Sequence, residues 1–315
     1  MSAKTATQAR NYRNEFLGPM QPWPDLENRS RWIDLPGCKL KLFSYISGET
    51  FRRTTILLHG LGDDADSWRH LIGPLSMFGQ VVAPDLPGFG RSDKPKCKYT
   101  IPFLRNVVSE LIEQMGVSNA ILVGSSMGAV LAQTLALAKP DWLRGLVLID
   151  GALLNQAQTI DPNILLFTLP GCGEWLYNRL RKDPQAAYET LRIYYASIDD
   201  LPPEEQKFLF QRVNQRVWDD AQRHAYLSTL RNLAPYIIRQ QKRLPELLSH
   251  LELPTLILWG AEDRVIPVSS GRVAAAAQPS ARLVILPGAG HLPHQERPMD
   301  VLKAILADER LKMYG

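Results

Sequence analysis

Four short runs rich in Val, Ile and Leu, TTILLHG (54–60), QVVAPDLP (80–87), NAILVGS (119–125) and LRGLVLID (143–150), alternate with segments of helical periodicity. That alternation constrains the fold more than any other feature. Between the second and third runs, Ile101, Leu104, Val107, Val108, Leu111, Ile112 and Met115 recur at helical spacing and form one apolar face. The runs are nearly continuous in apolar residues, the pattern of strands covered on both faces of a parallel sheet. Two more follow, PTLILWG (254–260) and ARLVILPG (281–288), with the helical segments GRVAAAAQ and RPMDVLKAILADERL after them. Ahead of the first run, RWIDLP and CKLKLFSYIS alternate well enough to be an antiparallel pair at the sheet edge. The predicted class is α/β.

The alternation stops between about residues 151 and 245, where only helix starts are found. In KDPQAAYETLRIYYA, Asp183 can cap and Pro184 can take the first helical position, and LPPEEQKFLFQRV opens with prolines and acids suited to a helix N-terminus. The predicted organisation is an N-terminal extension (1–28), a core in two pieces (29–150 and 246–315) and a helical insertion (151–245). A chain of 315 residues with 45% hydrophobic content can bury a core of that kind.

Composition excludes several classes of function. The net charge of +4 is mild, and residues 1–56 account for it with nine Lys/Arg against five Asp/Glu. No dense basic stripe or reading motif for nucleic acid is present. Cysteines 38, 97 and 172 are widely spaced and form no C-x-x-C, which argues against a disulfide framework or a zinc site. No bound metal or cofactor is expected. The opening MSAKTATQAR lacks the apolar stretch of a secretory signal, and no run suits a membrane span, so a soluble, cytoplasmic protein is expected. The basic arm is expected to be a surface extension, a tethered flap in preference to a membrane contact.

The stretch ILVGSSMGAV sets Ser126 between Gly124 and Gly128 where a strand gives way to a helix. A serine hydroxyl is a weak nucleophile and must be held clear of the backbone, beside a base and oxyanion donors. A tight strand-to-helix turn does this, and glycines two residues before and after remove side chains that would clash. Ser125 lacks that symmetric flanking. For the base, His291 in LPGAGH follows the last predicted strand and shares the C-terminal sheet edge with Ser126. His294 is its competitor, while His70, His224 and His250 suit surface roles. For the acid that orients the imidazole, Asp263 follows a strand end; Asp150 and Glu262 stay as alternatives. The expected oxyanion donors are the Leu61 and Met127 amides. His59, Gly60, Gly62, Ser125 and His294 are expected to border the substrate, His59 chiefly by holding the loop after its strand.

The order Ser126, Asp263, His291, with HGLG upstream and DLPGFGRSD between, resembles the α/β-hydrolase superfamily over roughly residues 30–310. The resemblance implies an eight-stranded, mostly parallel sheet with helices on both faces and a cap inserted after the sixth strand. It implies a serine hydrolase, since the family's haloalkane dehalogenases and epoxide hydrolases carry aspartate at the elbow. GSSMG and GHLPHQERP are similar to esterases, lipases and carbon–carbon bond hydrolases. The last group usually shows H-G-x-G-P-G and asparagine before the nucleophile, where this chain has HGLGDD and Ser125, so a carboxylic ester with an apolar acyl or alcohol part is the expected substrate. Cap aromatics such as Phe167, Trp175, Tyr177, Tyr194, Tyr195 and Trp218 are candidates to wall its pocket. Two rivals remain: a dinucleotide binder, on GLGDDA with Asp85 after the next strand, and a non-catalytic ligand receptor. Oligomeric state is not legible.

Overall fold

A computed structural model of the chain describes residues 12–49, 53–154, 166–311 and 313. Eight strands build one sheet: β1 (Ser30–Leu35), β2 (Leu40–Ser47), β3 (Arg53–Leu58), β4 (Gly79–Pro84), β5 (Ala120–Ser125), β6 (Leu143–Ile149), β7 (Thr255–Gly260) and β8 (Ala281–Leu286). Their order is β1-β2-β4-β3-β5-β6-β7-β8. β2 pairs antiparallel with β1 and β4, and the other neighbours are parallel. Each run read as a strand is one.

The continuous apolar character of the central strands has a direct cause. Successive side chains of a strand point to opposite faces. Leu58, Leu122 and Trp259 enter the core on one face, and their neighbours Leu57, Val123 and Leu258 enter the core on the other. Helices α1 (Arg69–Leu75), α2 (Ile101–Gln114), α3 (Met127–Ala136), α9 (Val268–Ala277) and α11 (Pro298–Leu306) belong to these layers. In α2, the Thr100 side chain caps by accepting from the Phe103 amide at 3.2 Å. The predicted apolar stripe of that helix, Ile101 to Ile112, is buried, and each such aliphatic side chain contributes about 1.5–3 kcal/mol.

Between β6 and β7 the chain forms a helical cap: α4 (Cys172–Leu180), α5 (Pro184–Glu189), α6 (Pro203–Trp218) and α7 (Asp220–Gln240), followed by α8 (Leu244–Ser249). Asp183 caps α5 through the Gln185 and Ala186 amides, both at 3.1 Å. That helix is shorter than its sequence suggests. After Glu189 the chain tightens into a 3-10 turn at Arg192–Tyr194, which carries the Tyr194 carbonyl to the His291 amide at 2.8 Å.

The cap is seated by buried charge. Arg212 and Arg216 of α6 reach the loop after β3, where Arg216 pairs with Asp63 at 2.5 Å and Asp64 at 2.8 Å, and Arg212 with Asp66 at 2.6 Å. Arg91 adds pairs to Asp66 at 3.0 Å and Asp85 at 2.8 Å. Burial alone would push the Asp64 carboxyl up; Arg216, Arg212 and Arg91 outweigh it and hold the group well below the usual carboxylate range. The described part of the N-terminal arm is a strap on the same helix, a closer attachment than a solvated extension. Phe16 is buried against Phe210 with ring centroids 6.1 Å apart, and Trp23 packs edge-on against Phe208 at 4.9 Å. Arg212 also donates to the Gln21 carbonyl at 2.7 Å, and the Trp23 amide donates to Asp66 at 3.0 Å. Residues 1–11 of the expected extension lie outside the described residues. Among the described residues no helix is long and apolar enough to cross a membrane.

Replacing Arg212 with Leu leaves Asp66 and Asp64 buried with one cation fewer, and chemical denaturation should show a loss of about 3–5 kcal/mol. Adding Asp66→Asn to that variant should restore part of it, because one of the acids that Arg212 had paired is then removed.

Candidate active site

Ser126 sits at the junction of β5 and α3 with φ 52° and ψ −116°, a left-handed backbone that a residue with a Cβ rarely adopts. The fold tolerates it because the neighbours yield space. A Cβ at Gly124 would collide with the Gly128 carbonyl, one at Gly128 with the Leu58 carbonyl, and one at Gly151 with the Ser126 carbonyl. The Ser126 amide is fixed by donating to the Ile149 carbonyl at 2.8 Å.

His291 follows β8, and its Nε2 lies 2.9 Å from Ser126 Oγ. Its Nδ1 lies 2.8 Å from Asp263 Oδ2. Asp263, past the end of β7, is itself fixed: Oδ1 accepts from the Val265 amide at 2.8 Å and the Ile266 amide at 2.9 Å. The adjacent Glu262 does something else, accepting from the Ala289 amide at 3.0 Å and so tying the loops after β7 and β8 together. Glu296 completes that loop by accepting from the Gly290 amide at 2.6 Å and the Ala196 amide of the cap at 2.7 Å. Asp150 follows β6 directly, with φ 46°, and is buried close to Asp263 and His291.

The expected oxyanion donors flank the serine. Met127 opens α3, so its N–H is one of the first-turn amides with no partner inside the helix. Leu61 follows Gly60, where a Cβ would stand 3.4 Å from Ser126 Cβ, and precedes Gly62 at φ +78°. A Cβ on Gly62 would come within 2.9 Å of the Tyr226 ring of α7. Tyr226 hydrogen-bonds Tyr194, whose ring lies 6.0 Å from that of His291. These two tyrosines bridge the loop after β3 and the His291 loop from the cap side. Tyr226 is missed by sequence reasoning, since a tyrosine on an amphipathic helix carries no mark of which neighbour it meets.

Three of the residues expected to border a substrate are fully buried. His294 is fully buried in α10 (Pro293–Glu296), stacked on Trp68 with ring centroids 4.4 Å apart and bonded through Nε2 to Ser67 Oγ at 2.8 Å. Burial pushes its imidazole down to about 3. Ser125, the last residue of β5, is also fully buried. His59 is buried and spends both ring nitrogens on its own loops, Nδ1 at 2.8 Å from the Gly60 carbonyl and Nε2 at 2.9 Å from the Leu86 amide. The histidines expected at the surface behave differently from one another: His224 and His250 are exposed, and His70 pairs with Glu205 at 3.0 Å. Of the cap aromatics, Trp175 is exposed, and Tyr195 is buried with its hydroxyl on Gln295 at 2.9 Å. A cavity of about 950 Å³ lies beneath the N-terminal strap, bordered by Phe16, Trp32, Phe43, Lys94 and Trp218 rather than by the Ser126 cluster.

The dinucleotide reading of GLGDDA fails on the same coordinates. Asp85 is buried, with Oδ1 accepting from the Ala65 amide at 2.7 Å and Oδ2 from the Arg91 amide at 2.7 Å. After the loop comes a 3-10 turn (Ala65–Trp68) instead of an immediate α-helix, and Asp63 and Asp64 hold the cap.

The family model for the alpha/beta hydrolase fold matches residues 55–298. The chain belongs to the α/β-hydrolase family. Among relatives of this hydrolase is the uncharacterised hydrolase YugF of Bacillus subtilis, 29% identical over 82% of this chain and 89% of its own. A 2-hydroxy-6-oxononadienedioate/2-hydroxy-6-oxononatrienedioate hydrolase of Pseudomonas putida is 28% identical over 76% of this chain and 81% of its own. Among solved structures, a bacterial membrane phospholipase A superposes with a TM-score of 0.67 at 26% identity, covering 96% of this chain and 91% of that one.

Two outcomes are expected. Gly128→Ala should destabilise the protein by about 1–3 kcal/mol or more in a denaturant titration, because its Cβ must displace backbone on β3. The folded protein keeps His294 neutral while the unfolded chain takes up a proton below about 6.5, so stability present above that pH is lost as pH falls toward about 3. His294→Gln should therefore lose less stability than the unmodified protein between about pH 7 and about pH 5.

Proposed function

We propose that the hydrolase cleaves carboxylic esters through an acyl-enzyme formed on Ser126. The observation that carries this reading is the unbroken chain of contacts from Ser126 Oγ to His291 Nε2 and from His291 Nδ1 to Asp263, on a hydroxyl held at a left-handed bend. His291 takes the proton as Ser126 attacks the ester carbonyl, and Asp263 holds the imidazole in the tautomer that presents Nε2 as base. The tetrahedral oxyanion rests on the Leu61 and Met127 amides, where one such donor contributes about 2.7–4 kcal/mol to the transition state. The proton on His291 then goes to the departing alcohol. Water, deprotonated by the same imidazole, releases the acid.

A carbon–carbon bond hydrolase is the second reading, favoured by the Pseudomonas putida relative. Two features weigh against it. The loop that follows Gly62 is acidic and spends Asp63 and Asp64 on cap arginines, and Ser125 stands before the nucleophile.

The test is intact-mass labelling with a fluorophosphonate, followed by turnover of p-nitrophenyl esters beside a meta-cleavage-type dienoate. One adduct is expected on the unmodified protein and none on Ser126→Ala, with ester hydrolysis down about 10⁴-fold or more in that variant and in His291→Ala. Labelling of Ser126→Ala would remove the reading, and a dienoate turned over with higher kcat/KM than every ester would replace it with the second.

A further inference from the structure

Asp150 is a buried acid that the proposed reaction leaves without a task. It follows β6 directly, in the left-handed region, and its Oδ1 accepts from the Gly260 amide at 2.8 Å. Its Oδ2 is buried and faces no hydrogen-bond donor. What it meets is the carboxyl of Asp263. One oxygen of each acid and a ring nitrogen of His291 all lie within 4.8 Å of one another.

Two buried carboxylates this close repel each other, which favours a proton on one of them. The other partners decide where it sits. Asp263 accepts from two backbone amides and faces His291 Nδ1, so three contacts already fill its oxygens. Asp150 has one amide, and burial first, then the charges of Asp263 and Glu296, push it well above the usual carboxylate range. The groups facing it are thus Asp263 from the loop after β7, His291 from the loop after β8 and Glu296 from α10.

We propose that Asp150 is a neutral carboxylic acid whose Oδ2 hydroxyl donates to the Asp263 carboxylate, making it a positioning residue for His291. The inference rests on the reading of Ser126, His291 and Asp263 as the catalytic set. Asp263 then accepts hydrogen bonds from the backbone of its own loop, from the base and from the end of β6, so it is fixed from three directions. A left-handed backbone position suits Asp or Asn. Asparagine keeps the acceptor for Gly260 and supplies an N–H toward Asp263; alanine supplies neither.

Three proteins test this: unmodified, Asp150→Asn and Asp150→Ala. The infrared difference spectrum of unmodified protein minus Asp150→Asn at neutral pH should contain the C=O stretch of a protonated carboxylic acid; carboxylate bands in its place overturn the proposal. Fluorophosphonate labelling of Ser126 should proceed in Asp150→Asn within about threefold of the unmodified rate and in Asp150→Ala about tenfold or more slowly. Labelling of Asp150→Ala at the unmodified rate, or of Asp150→Asn as slowly as Asp150→Ala, overturns it too. If Asp150→Ala does not fold, the infrared spectrum and the Asp150→Asn rate decide. Absence of labelling in the unmodified protein strikes the Ser126 reading instead, and the infrared result still reports the proton on Asp150.

Discussion

The left-handed bend at Ser126 is the constraint on which the rest of the site depends. A non-glycine residue held there costs on the order of 1–3 kcal/mol and persists only where its surroundings over-determine it. Those surroundings are backbone: the carbonyls of Gly128, Leu58 and Ser126 occupy the places that side chains on Gly124, Gly128 and Gly151 would take. Close packing of three strands and a helix at one point leaves the Ser126 hydroxyl facing His291. Because β3, β5, β6, β7 and β8 run parallel, their C-terminal ends share one edge of the sheet. Gly60 and Leu61, Ser126, Asp150, Asp263 and His291 therefore reach one place from positions spread over more than two thirds of the chain.

Much of this was legible because it depends on local pattern. Continuous apolar runs mark strands buried on both faces, symmetric glycines mark a bend that excludes side chains, and strand ends place His291 and Asp263 on the edge that holds Ser126. What escaped the sequence depends on contacts between distant segments. His291 and His294 are three residues apart and read alike as pocket histidines, yet His294 turns inward to meet Ser67 and Trp68. Nothing near position 294 announces a partner so far upstream. DDAD after the first parallel strand reads as a polar turn, and only the fold shows that its acids wait for Arg212 and Arg216. Asp150 and Asp263 were rival candidates for one role because sequence places both at strand ends; in the fold they lie side by side, with Asp263 on the imidazole.

The cap touches both chemical halves of the site. Its Tyr194 carbonyl accepts from the His291 amide, and its Ala196 amide is held by Glu296, so the His291 loop is shaped by the cap. Its Arg216 grips Asp63 and Asp64, two and three residues beyond Leu61, and Tyr226 lies against Gly62, so the proposed oxyanion loop is shaped by it too. A displaced cap would disturb the His291 loop and the loop after β3 together.

Charge and apolar contact divide the work of holding it. Ion pairs in a buried cluster regain hydration when they separate, so their net contribution to the strength of docking is small against the cost of leaving one member unpaired. Arg212 and Arg216 are four residues apart and lie on one face of α6, spaced to meet acids on a single loop. Turning the helix by one residue, about 100°, would carry both guanidiniums away from that loop and leave Asp64 with Arg91 alone of its three cations. The cluster thus selects one register. Strength comes from contacts that lose water where strap and cap meet: Phe16 on Phe210 and Trp23 on Phe208. Apolar packing of this kind is tolerant of small shifts, and the arginines remove that tolerance where the distance from cap to His291 and Leu61 matters.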